Sequence, residues 1–385
     1  MEYRLEDIFD LQMGKTPSRN IPEYWNSKDN KWISIADLSN CGKYIKETKE
    51  CLSDCAVFEN RISQIPKNTV VMSFKLSIGK TAITTEPMYS NEAIMSFRDK
   101  HVVELIPDYI YYMFSYMNWE DGTNKAVMGK TLNKATLSKF KVNIRNIGEQ
   151  RKIVEILDKV TKIIDDYKSE LVSLDELIKA RFVEMFGDPI NNDKGWKTAS
   201  VESLCTEIYG GGTPSKAHPE YYKDGDIPWV SSKDMKCEVI KDSQIKINQL
   251  GVENSTARMV PVNSVIIVIR SGILKHTLPV AINAVPITIN QDLKAFIPNE
   301  LVLAKFLSVQ FKMHEKDILS GVRAVTADNI EFNSLKQREM IVPPIELQQQ
   351  YDVFLSQVDK SRFVVQKALD EAQLLFDSLM QEYFG

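Results

Sequence analysis

The sequence contains the phrase GKTPSRNIPEYW at residues 14–25 and a second version of it, GGTPSKAHPEYY, at residues 211–222. Seven of the twelve positions are identical, and the two copies lie 197 residues apart. An uncommon phrase that recurs at this distance in a chain of 385 residues indicates an internal duplication. The duplication is therefore the first guide to how the chain is divided.

The match continues beyond the phrase, with an offset that drifts by a few residues where loops differ in length and then holds at 198 to the last residue. The matched pairs include Trp32 with Trp229, Ser34 with Ser231, Asp37 with Asp234, IPKNTVVMSFK (65–75) with VPVNSVIIVIR (260–270), Gln150 with Gln348, and Phe186-Gly187 with Phe384-Gly385. The chain is predicted to be two copies of one unit, each with a body of roughly 150 residues and a tail of about 40.

The two tails carry a helical pattern. Apolar residues recur at 4-3-4-3 spacing through residues 148–187 and again through 345–385, with Arg181 and Arg362 as the only polar residues on the seam. A heptad stripe held for about five heptads without internal Pro or Gly predicts long helices that pair as a coiled coil. Because the second body connects the two helices, short connections favour an antiparallel pair.

The bodies read as mixed α and β, with β-branched runs at 69–74 and 263–270 and short apolar helices at 109–117 and 303–311. The predicted fold class is α+β: two similar mixed α/β domains in tandem, separated by two long helices that pair antiparallel, with pseudo-two-fold symmetry. The predicted boundaries are 1–147 for the first domain (body 1), 148–187 for the first helix, 188–344 for the second domain (body 2), and 345–385 for the second helix.

Composition narrows the class of protein. The chain is 43% hydrophobic and 26% charged, with a net charge of -4, and the acidic excess falls in the two tails. Apolar runs are too short for a membrane span, and the N-terminus does not resemble a signal peptide. The five cysteines show no disulfide or zinc spacing, which favours reduced thiols and a cytoplasmic location.

A search for chemistry finds no self-contained active site. Gly-Lys-Thr occurs at 14–16, 79–81 and 129–131, but none of the three has the earlier glycine that a phosphate-binding loop requires. There is no glycine-rich cofactor fingerprint, and the four histidines have no metal-ligand spacing. The sequence therefore predicts a binding protein without catalytic or metal-ligating residues. Two similar modules related by a two-fold axis match the symmetry of duplex DNA.

The repeated phrase, its continuation KWISIAD (31–37) and DIPWV (226–230), the segments INQDLKAFIP (289–298) and PPIELQQQYDVF (343–354), and GEQRKIVEILDKV (148–160) together resemble the specificity (S) subunit of type I restriction–modification systems. The resemblance covers the whole chain. Body 1 departs from the pattern at Lys15, where the second glycine of the phrase stands in body 2, and at SNEAIMSF (90–97).

The resemblance implies that each body is a target recognition domain and that the chain binds double-stranded DNA at an asymmetric, bipartite target. It implies that the helices set the distance between half-sites and carry two methyltransferase subunits, with motor–nuclease (restriction) subunits completing the complex. The chain is then not an enzyme by itself and binds no cofactor. S-adenosylmethionine, ATP and Mg²⁺ belong to the partner subunits, which carry adenine methylation and ATP-dependent cleavage.

Residues that read base edges should be Arg, Lys, Asn, Ser or Thr on loops that follow the matched strands. The predicted DNA-binding residues are Lys75, Ser77, Lys80, Lys130, Asn133 and Lys134 in body 1, and Arg270, Ser271, Lys275, His276, Arg323, Thr326 and Asn329 in body 2.

Other interpretations remain open on the sequence. Thr16, Ser18, Thr213 and Ser215 are candidates for phosphate contact, but a structural turn is favoured because the phrase recurs in domains expected to read different sequences. Trp32 and Trp229 are expected in the core. Two alternative functions are a specificity subunit for a fused methyltransferase–nuclease system and a rod-like scaffold that binds proteins or glycans.

Overall fold

The computed structural model describes residues 1–119, 124–126, 129–324 and 328–385. Each body is built on a five-stranded sheet. In body 1 the strand order is Phe9–Met13, Ile94–Asp99, Val70–Ser73, Thr81–Thr84, Tyr44–Ile45. In body 2 the strand order is Cys205–Gly210, Leu293–Pro298, Val265–Val268, Val280–Asn283, Val239–Ile240. The two large sheets have the same topology, because the strands occupy equivalent places in the two repeats.

The central strand of each large sheet is a continuous run of buried residues, as the sequence pattern VVMS and VIIV requires. Successive side chains point to opposite faces of a strand. Val70 and Met72 therefore join the core under the helix Pro107–Tyr116, whereas Val71 joins a separate core with Ile33. Each body has one core on either side of its sheet, and both faces need apolar residues.

A smaller sheet lies in each body. In body 1 it has the order Glu50–Leu52, Asn30–Ile33, Tyr89–Ser90, and in body 2 the order Lys246–Ile247, Ile227–Val230, Ile287–Ile289, Met259–Val260. Two-stranded ribbons complete the description: Glu2–Arg4 with Lys141–Asn143, Asn124–Ala126 with Gly129–Thr131, Thr198–Ser200 with Glu339–Ile341, and Arg323–Ala324 with Asp328–Asn329.

Short helices connect the strands. In repeat 1 they are Leu5–Ile8, Pro22–Tyr24, Ile35–Asn40, Asp54–Asn60, Pro107–Tyr116 and Lys134–Leu137. In repeat 2 they are Pro219–Tyr221, Gln249–Glu253, Gly272–Lys275, Ala304–Met313, Glu315–Ser320 and Phe332–Lys336. The matched Ser-x-x-Asp sequences have the same local structure: Asp37 accepts from Ser34, and Asp234 accepts from Ser231, through the backbone amide and the hydroxyl in both cases.

The two tails are single helices of 40 residues, Ile147–Phe186 and Ile345–Phe384. The residues of the predicted seam are buried or half-buried along both helices, including the two arginines. The heptad pattern therefore identified the inner faces correctly. We refer to these elements as the first and second long helix.

The chain forms two compact units that divide both long helices near their middles. Unit 1 contains Met1–Lys168 and Lys367–Gly385, and unit 2 contains Ser169–Gln366. In unit 1 the start of the first long helix packs beside the end of the second, with Leu157 and Met380 in one core. In unit 2 the end of the first packs beside the start of the second, where the Tyr351 hydroxyl donates to the Ile178 carbonyl at 2.9 Å. Within each unit the helices are antiparallel, as predicted.

A buried glutamine fastens each body to the start of its own long helix. Gln150 accepts from the Ile106 amide at 2.9 Å and donates to the Glu104 and Arg145 carbonyls. Its repeat partner Gln348 accepts from the Leu303 amide and donates to Leu301 and Pro343. Both side chains are fully buried, and their hydrogen bonds satisfy backbone groups that would otherwise be costly to bury.

Candidate nucleic-acid interface

The repeated phrase folds into a tight turn against the small sheet of each body. A Cβ atom placed on Gly14 would lie 2.1 Å from the Ser90 carbonyl oxygen, and one on Gly211 would lie 1.7 Å from that of Ile289. The next amide then donates to the same carbonyl, from Lys15 at 2.8 Å and from Gly212 at 3.0 Å. The first glycine of the phrase is required because the backbone passes too close for any side chain.

Side chains hold this turn in place. The Trp32 indole donates to the Lys15 carbonyl at 3.2 Å, and the Trp229 indole donates to the Gly212 carbonyl at 2.9 Å. Both tryptophans are buried, which confirms that they belong to the core. The threonine hydroxyls donate inward, from Thr16 to Glu92 and from Thr213 to Gln291. These contacts support the structural interpretation of the phrase. Ser18 and Ser215 are exposed at its edge.

The two threonine partners differ in charge, although they occupy the same place. The pKa of Glu92 is lowered: burial opposes ionisation, but the Thr16 hydroxyl, a backbone amide, Lys75 and Arg19 together outweigh it. The equivalent Gln291 is neutral. The frame of the turn is thus common to both bodies, whereas its electrostatic surroundings are specific to each.

In body 1 the first group of predicted residues lies on the loop between the strands Val70–Ser73 and Thr81–Thr84. Ser77 and Lys80 are exposed, and Lys75 is half-exposed with its ammonium 5.3 Å from the centre of the Phe74 ring. The buried Ser73 braces the loop from below, since its hydroxyl donates to the Ser77 carbonyl and accepts from the Lys80 amide. The loop is therefore pre-organised.

The second group in body 1 has mixed roles. The Asn133 side chain accepts from the Thr136 amide at 2.8 Å and caps the helix Lys134–Leu137, so that its oxygen already has a structural partner. Lys134 is exposed. Lys130 lies on the strand Gly129–Thr131, but its side chain is outside the described part of the structure.

In body 2 the predicted residues likewise include structural ones. Arg270 pairs with Asp292 at 2.6 Å, and Ser271 caps the helix Gly272–Lys275. Lys275 and His276 are exposed. The Arg323 side chain and the whole of Thr326 lie outside the described residues. Asn329 is exposed.

The structure brings the two predicted groups of each body together. In body 2 the backbones of Arg270 and Asn329 form a β-bridge, and the Ile330 amide donates to the Ile269 carbonyl at 2.9 Å. In body 1 the equivalent bond runs from the Leu132 amide to the Phe74 carbonyl at 3.1 Å. The two segments that carry the predicted residues are therefore adjacent in each body.

One exposed residue on this surface was missed by the sequence reasoning, which considered only polar readers. Leu76 is 70% exposed and has a φ of 65°, a left-handed conformation that is strained for a side chain of its kind. It projects between Lys75 and Ser77 on the braced loop. An apolar side chain can contact a thymine methyl group, and the signal in the sequence was a single leucine inside a polar turn.

Neither a metal site nor a membrane span occurs among the described residues. Among them, no group of three or more His, Cys, Asp or Glu side chains is placed to hold a metal ion. No helix in the described part of the chain has both the length and the apolar character needed to cross a bilayer.

Comparisons with known proteins agree with this description. The family model for the type I restriction modification DNA specificity domain matches residues 1–173 and again 193–372. The chain is 33% identical over 220 residues to the Escherichia coli type I restriction enzyme EcoR124I/EcoR124II specificity subunit, covering 56% of this chain and 53% of that one. It thus spans about half the length of that relative. It is 23% identical over 399 residues to the MjaIX specificity subunit of Methanocaldococcus jannaschii, covering 98% and 90%.

Solved structures share the fold over the full chain. The S subunit of a type I restriction–modification system from M. genitalium superposes with a TM-score of 0.58 at 12% identity, covering 100% of this chain and 96% of that one. A chain from a study of type I R-M complex assembly and conformational transition gives 0.59 at 14% identity, with 100% and 97% covered. Since the family model covers both repeats, the chain belongs to the family of type I restriction–modification DNA specificity domains.

Proposed function

We propose that this chain selects the DNA sequence on which a type I restriction–modification complex acts, by reading an asymmetric target made of two half-sites and an unread spacer. The observation that supports this most directly is the contrast inside the duplicated structure. The sheets, the repeated turn and the buried glutamines are equivalent in the two bodies, while the exposed loops carry different residues. A common frame with different loops suits two modules that bind two different short sequences on one duplex.

The side chains on these loops are of the right kind for the task. Lys80 and Lys134 in body 1 and His276 and Asn329 in body 2 are exposed. Lysine reads guanine edges or phosphates, and asparagine reads adenine. Arg270 already pairs with Asp292, and such a pair can hold a guanidinium in the orientation needed for a base.

In this proposal the long helices set the distance between half-sites and provide the surface for two methyltransferase subunits. Their outer faces carry apolar side chains as well as the expected charges, with Phe363 72% and Leu374 71% exposed. Exposed apolar groups of this size on a helix favour burial by a partner. Methylation with S-adenosylmethionine, and ATP- and Mg²⁺-dependent cleavage by restriction subunits, would take place on the partners.

The test is a methylome comparison in a host that carries this chain with its methyltransferase partner. We expect a split adenine-methylated motif that disappears when the chain is deleted and returns when it is supplied again. Unchanged methylation after deletion would refute the proposal. Exchange of body 2 for that of a related chain should change one half of the motif and preserve the other half.

The role of the helices is tested separately by inserting one heptad into each long helix. The expected result is a motif with an altered spacer and unchanged half-sites. An altered half-site sequence would argue against the helices as a ruler, because the reading loops lie in the bodies and not on the helices.

A further inference from the structure

A notch in body 1 is lined by basic side chains from three separate segments of the chain. It encloses about 250 Å³ beside the repeated turn, between the end of the strand Phe9–Met13, the segment after the helix Asp54–Asn60, and the start of the helix Lys134–Leu137. The basic residues are Lys15, Arg61 and Lys134, and none of the described residues that line the notch is acidic. Gln12 and Ser63 add uncharged polar side chains.

The three cationic side chains retain N–H donors that a ligand could use. The Lys15 ammonium donates once, to the Asn60 carbonyl at 2.9 Å, which leaves two of its three protons. Within the described part of the chain, neither Arg61 nor Lys134 forms an ion pair with a carboxylate, whereas the nearby Arg19 is held by Glu50. All three side chains are exposed. Like charges that converge without a counter-charge favour an anionic ligand.

Body 2 has none of these cations at the equivalent positions. By the repeat offsets and the matching helices, Lys15 corresponds to Gly212, Arg61 to Thr256, and Lys134 to Phe332. Gly212 is buried, and a Cβ atom built on it would lie 2.1 Å from the Thr256 hydroxyl, so that this place is closed by direct contact. Phe332 is apolar and half-buried. The common frame therefore does not require a notch, and body 1 has replaced all three residues together.

We infer that this notch is a phosphate site of body 1, and that it seats one phosphodiester of the DNA backbone beside the first half-site. The inference rests on the proposed function and adds a contact to it. A phosphodiester has two non-bridging oxygens that share one negative charge, and both can accept hydrogen bonds from guanidinium and ammonium groups. Such a contact fixes the position of body 1 on the duplex without selecting bases. Body 2 is then held by its other contacts, and the two half-sites differ in their dependence on salt.

The test uses the full chain, with its methyltransferase partner, and a duplex that carries the methylated motif. The variants are Lys15→Gln, Arg61→Gln, Lys134→Gln and the three combined. Each phosphate contact adds about 0.9 to the slope of log affinity against log salt concentration. Since the three cations share one phosphate, the triple variant should lose about 0.9 from the slope, and not three times as much.

A scrambled duplex should be weakened by the same factor as the specific one, because a phosphate contact carries no sequence information. A neutral methylphosphonate, placed at successive backbone positions near the first half-site, should reproduce the loss at one position. At that position it should have no further effect on the triple variant. Lys67→Gln is the control, because Lys67 is exposed in the same body but lines a different depression.

Several results would overturn the inference. These are an unchanged slope in the triple variant, an equal loss in the control, or no methylphosphonate position that is coupled to the notch. If inorganic phosphate raised the thermal midpoint of the wild type but not of the triple variant, while the salt slope was the same in both, the notch would be a small-anion site instead. The proposed function is tested separately, by the methylome comparison. It would be refuted if no methylated motif depended on the wild-type chain, whatever the salt dependence of the variants.

The variants should fold normally, since the three side chains are exposed and their removal relieves repulsion. An unchanged thermal midpoint, measured alongside the affinities, separates a lost contact from a damaged body.

Discussion

The two bodies are fastened to the long helices at the same place by ion pairs of opposite polarity. In unit 1 the Lys43 ammonium lies between two carboxylates, 2.5 Å from Asp108 and 2.6 Å from Asp158. In unit 2 the corresponding residue is Glu238, which pairs with Lys312 and lies 3.7 Å from Arg362. Both central residues directly precede the last strand of their large sheets.

Of the two positions that pair with Lys43, one is reversed in charge in the second repeat and the other is uncharged there. Asp108 corresponds to Lys305, and Asp158 to Ser356, by the repeat offsets. Lys305 contacts Asp352 at 3.2 Å and the Ser356 hydroxyl at 3.0 Å, so that each side remains balanced. A duplicated frame can thus keep its geometry while its charges diverge, provided that the residues in contact change together.

The largest effect on stability is expected at Gly212, and its match in the repeated turn, Lys15, should respond much less. Gly212→Ala should weaken body 2 by about 3 kcal/mol, because the new methyl group overlaps Thr256. Lys15→Ala at the matching position of body 1 should change stability by less than about 0.5 kcal/mol, since that residue already has a side chain. Amide hydrogen exchange, followed separately in each body, measures both values. Equal losses at the two positions would contradict the asymmetry.

Reversal of the charge of Lys43 should have the next largest effect on stability. Lys43→Glu places three carboxylates together and should destabilise the packing of body 1 on the first long helix by about 2 kcal/mol. Lys46→Glu, an exposed neighbour, is the control and should be nearly neutral.

A second variant places the residues of unit 2 at the three matching positions of unit 1. The combined variant Lys43→Glu, Asp108→Lys and Asp158→Ser should recover more than half of the stability lost by Lys43→Glu alone. Protection of the amides in the helix Pro107–Tyr116 against hydrogen exchange is the measurement. If the triple variant is no better than the single one, the opposite polarity is not what matters.

Acid should weaken the ion pairs of Asp108 and Glu238, and the loss of stability should be smaller than in the charge-reversal variants. Burial opposes the ionisation of Asp108, but Lys43 and Tyr44 outweigh it and lower its pKa; Lys312 and Arg362 do the same for the pKa of Glu238. A carboxylate whose folded pKa is lowered stabilises the fold above its ordinary pKa of about 4 and loses this contribution as the pH falls further. Thermal midpoints measured between about pH 5 and pH 3 should therefore fall less steeply in Asp108→Asn and Glu238→Gln than in the wild type.

The smallest effect concerns the loop of body 1 between the strands Val70–Ser73 and Thr81–Thr84. Leu76→Gly relieves a left-handed leucine and should stabilise the loop by roughly 0.5–1 kcal/mol, while weakening DNA binding. Leu76→Ala keeps the strain and removes the apolar tip, and so it should weaken binding without the gain in stability. A gain in stability for both variants would show that the leucine is not strained.

Much of the architecture could be predicted from the sequence alone, because the same pattern of residues occurs twice in the chain. The offset between the copies, the heptad seams and the buried β-branched runs depend on local periodicity, which sequence preserves. The antiparallel helix halves followed from connectivity. The core positions of Trp32 and Trp229 were expected from the sequence, and both side chains are buried.

The tertiary structure decided what depends on residues far apart in the chain. That Asn133 and Ser271 cap helices, that Leu76 is strained, and that Lys15, Arg61 and Lys134 converge could not be read from periodicity. The exchange of charge between Lys43 and Glu238 has meaning only once their partners, about 65 to 125 residues away, are in place. Local patterns specify elements, whereas the electrostatics of a surface arise from side chains that only folding brings together.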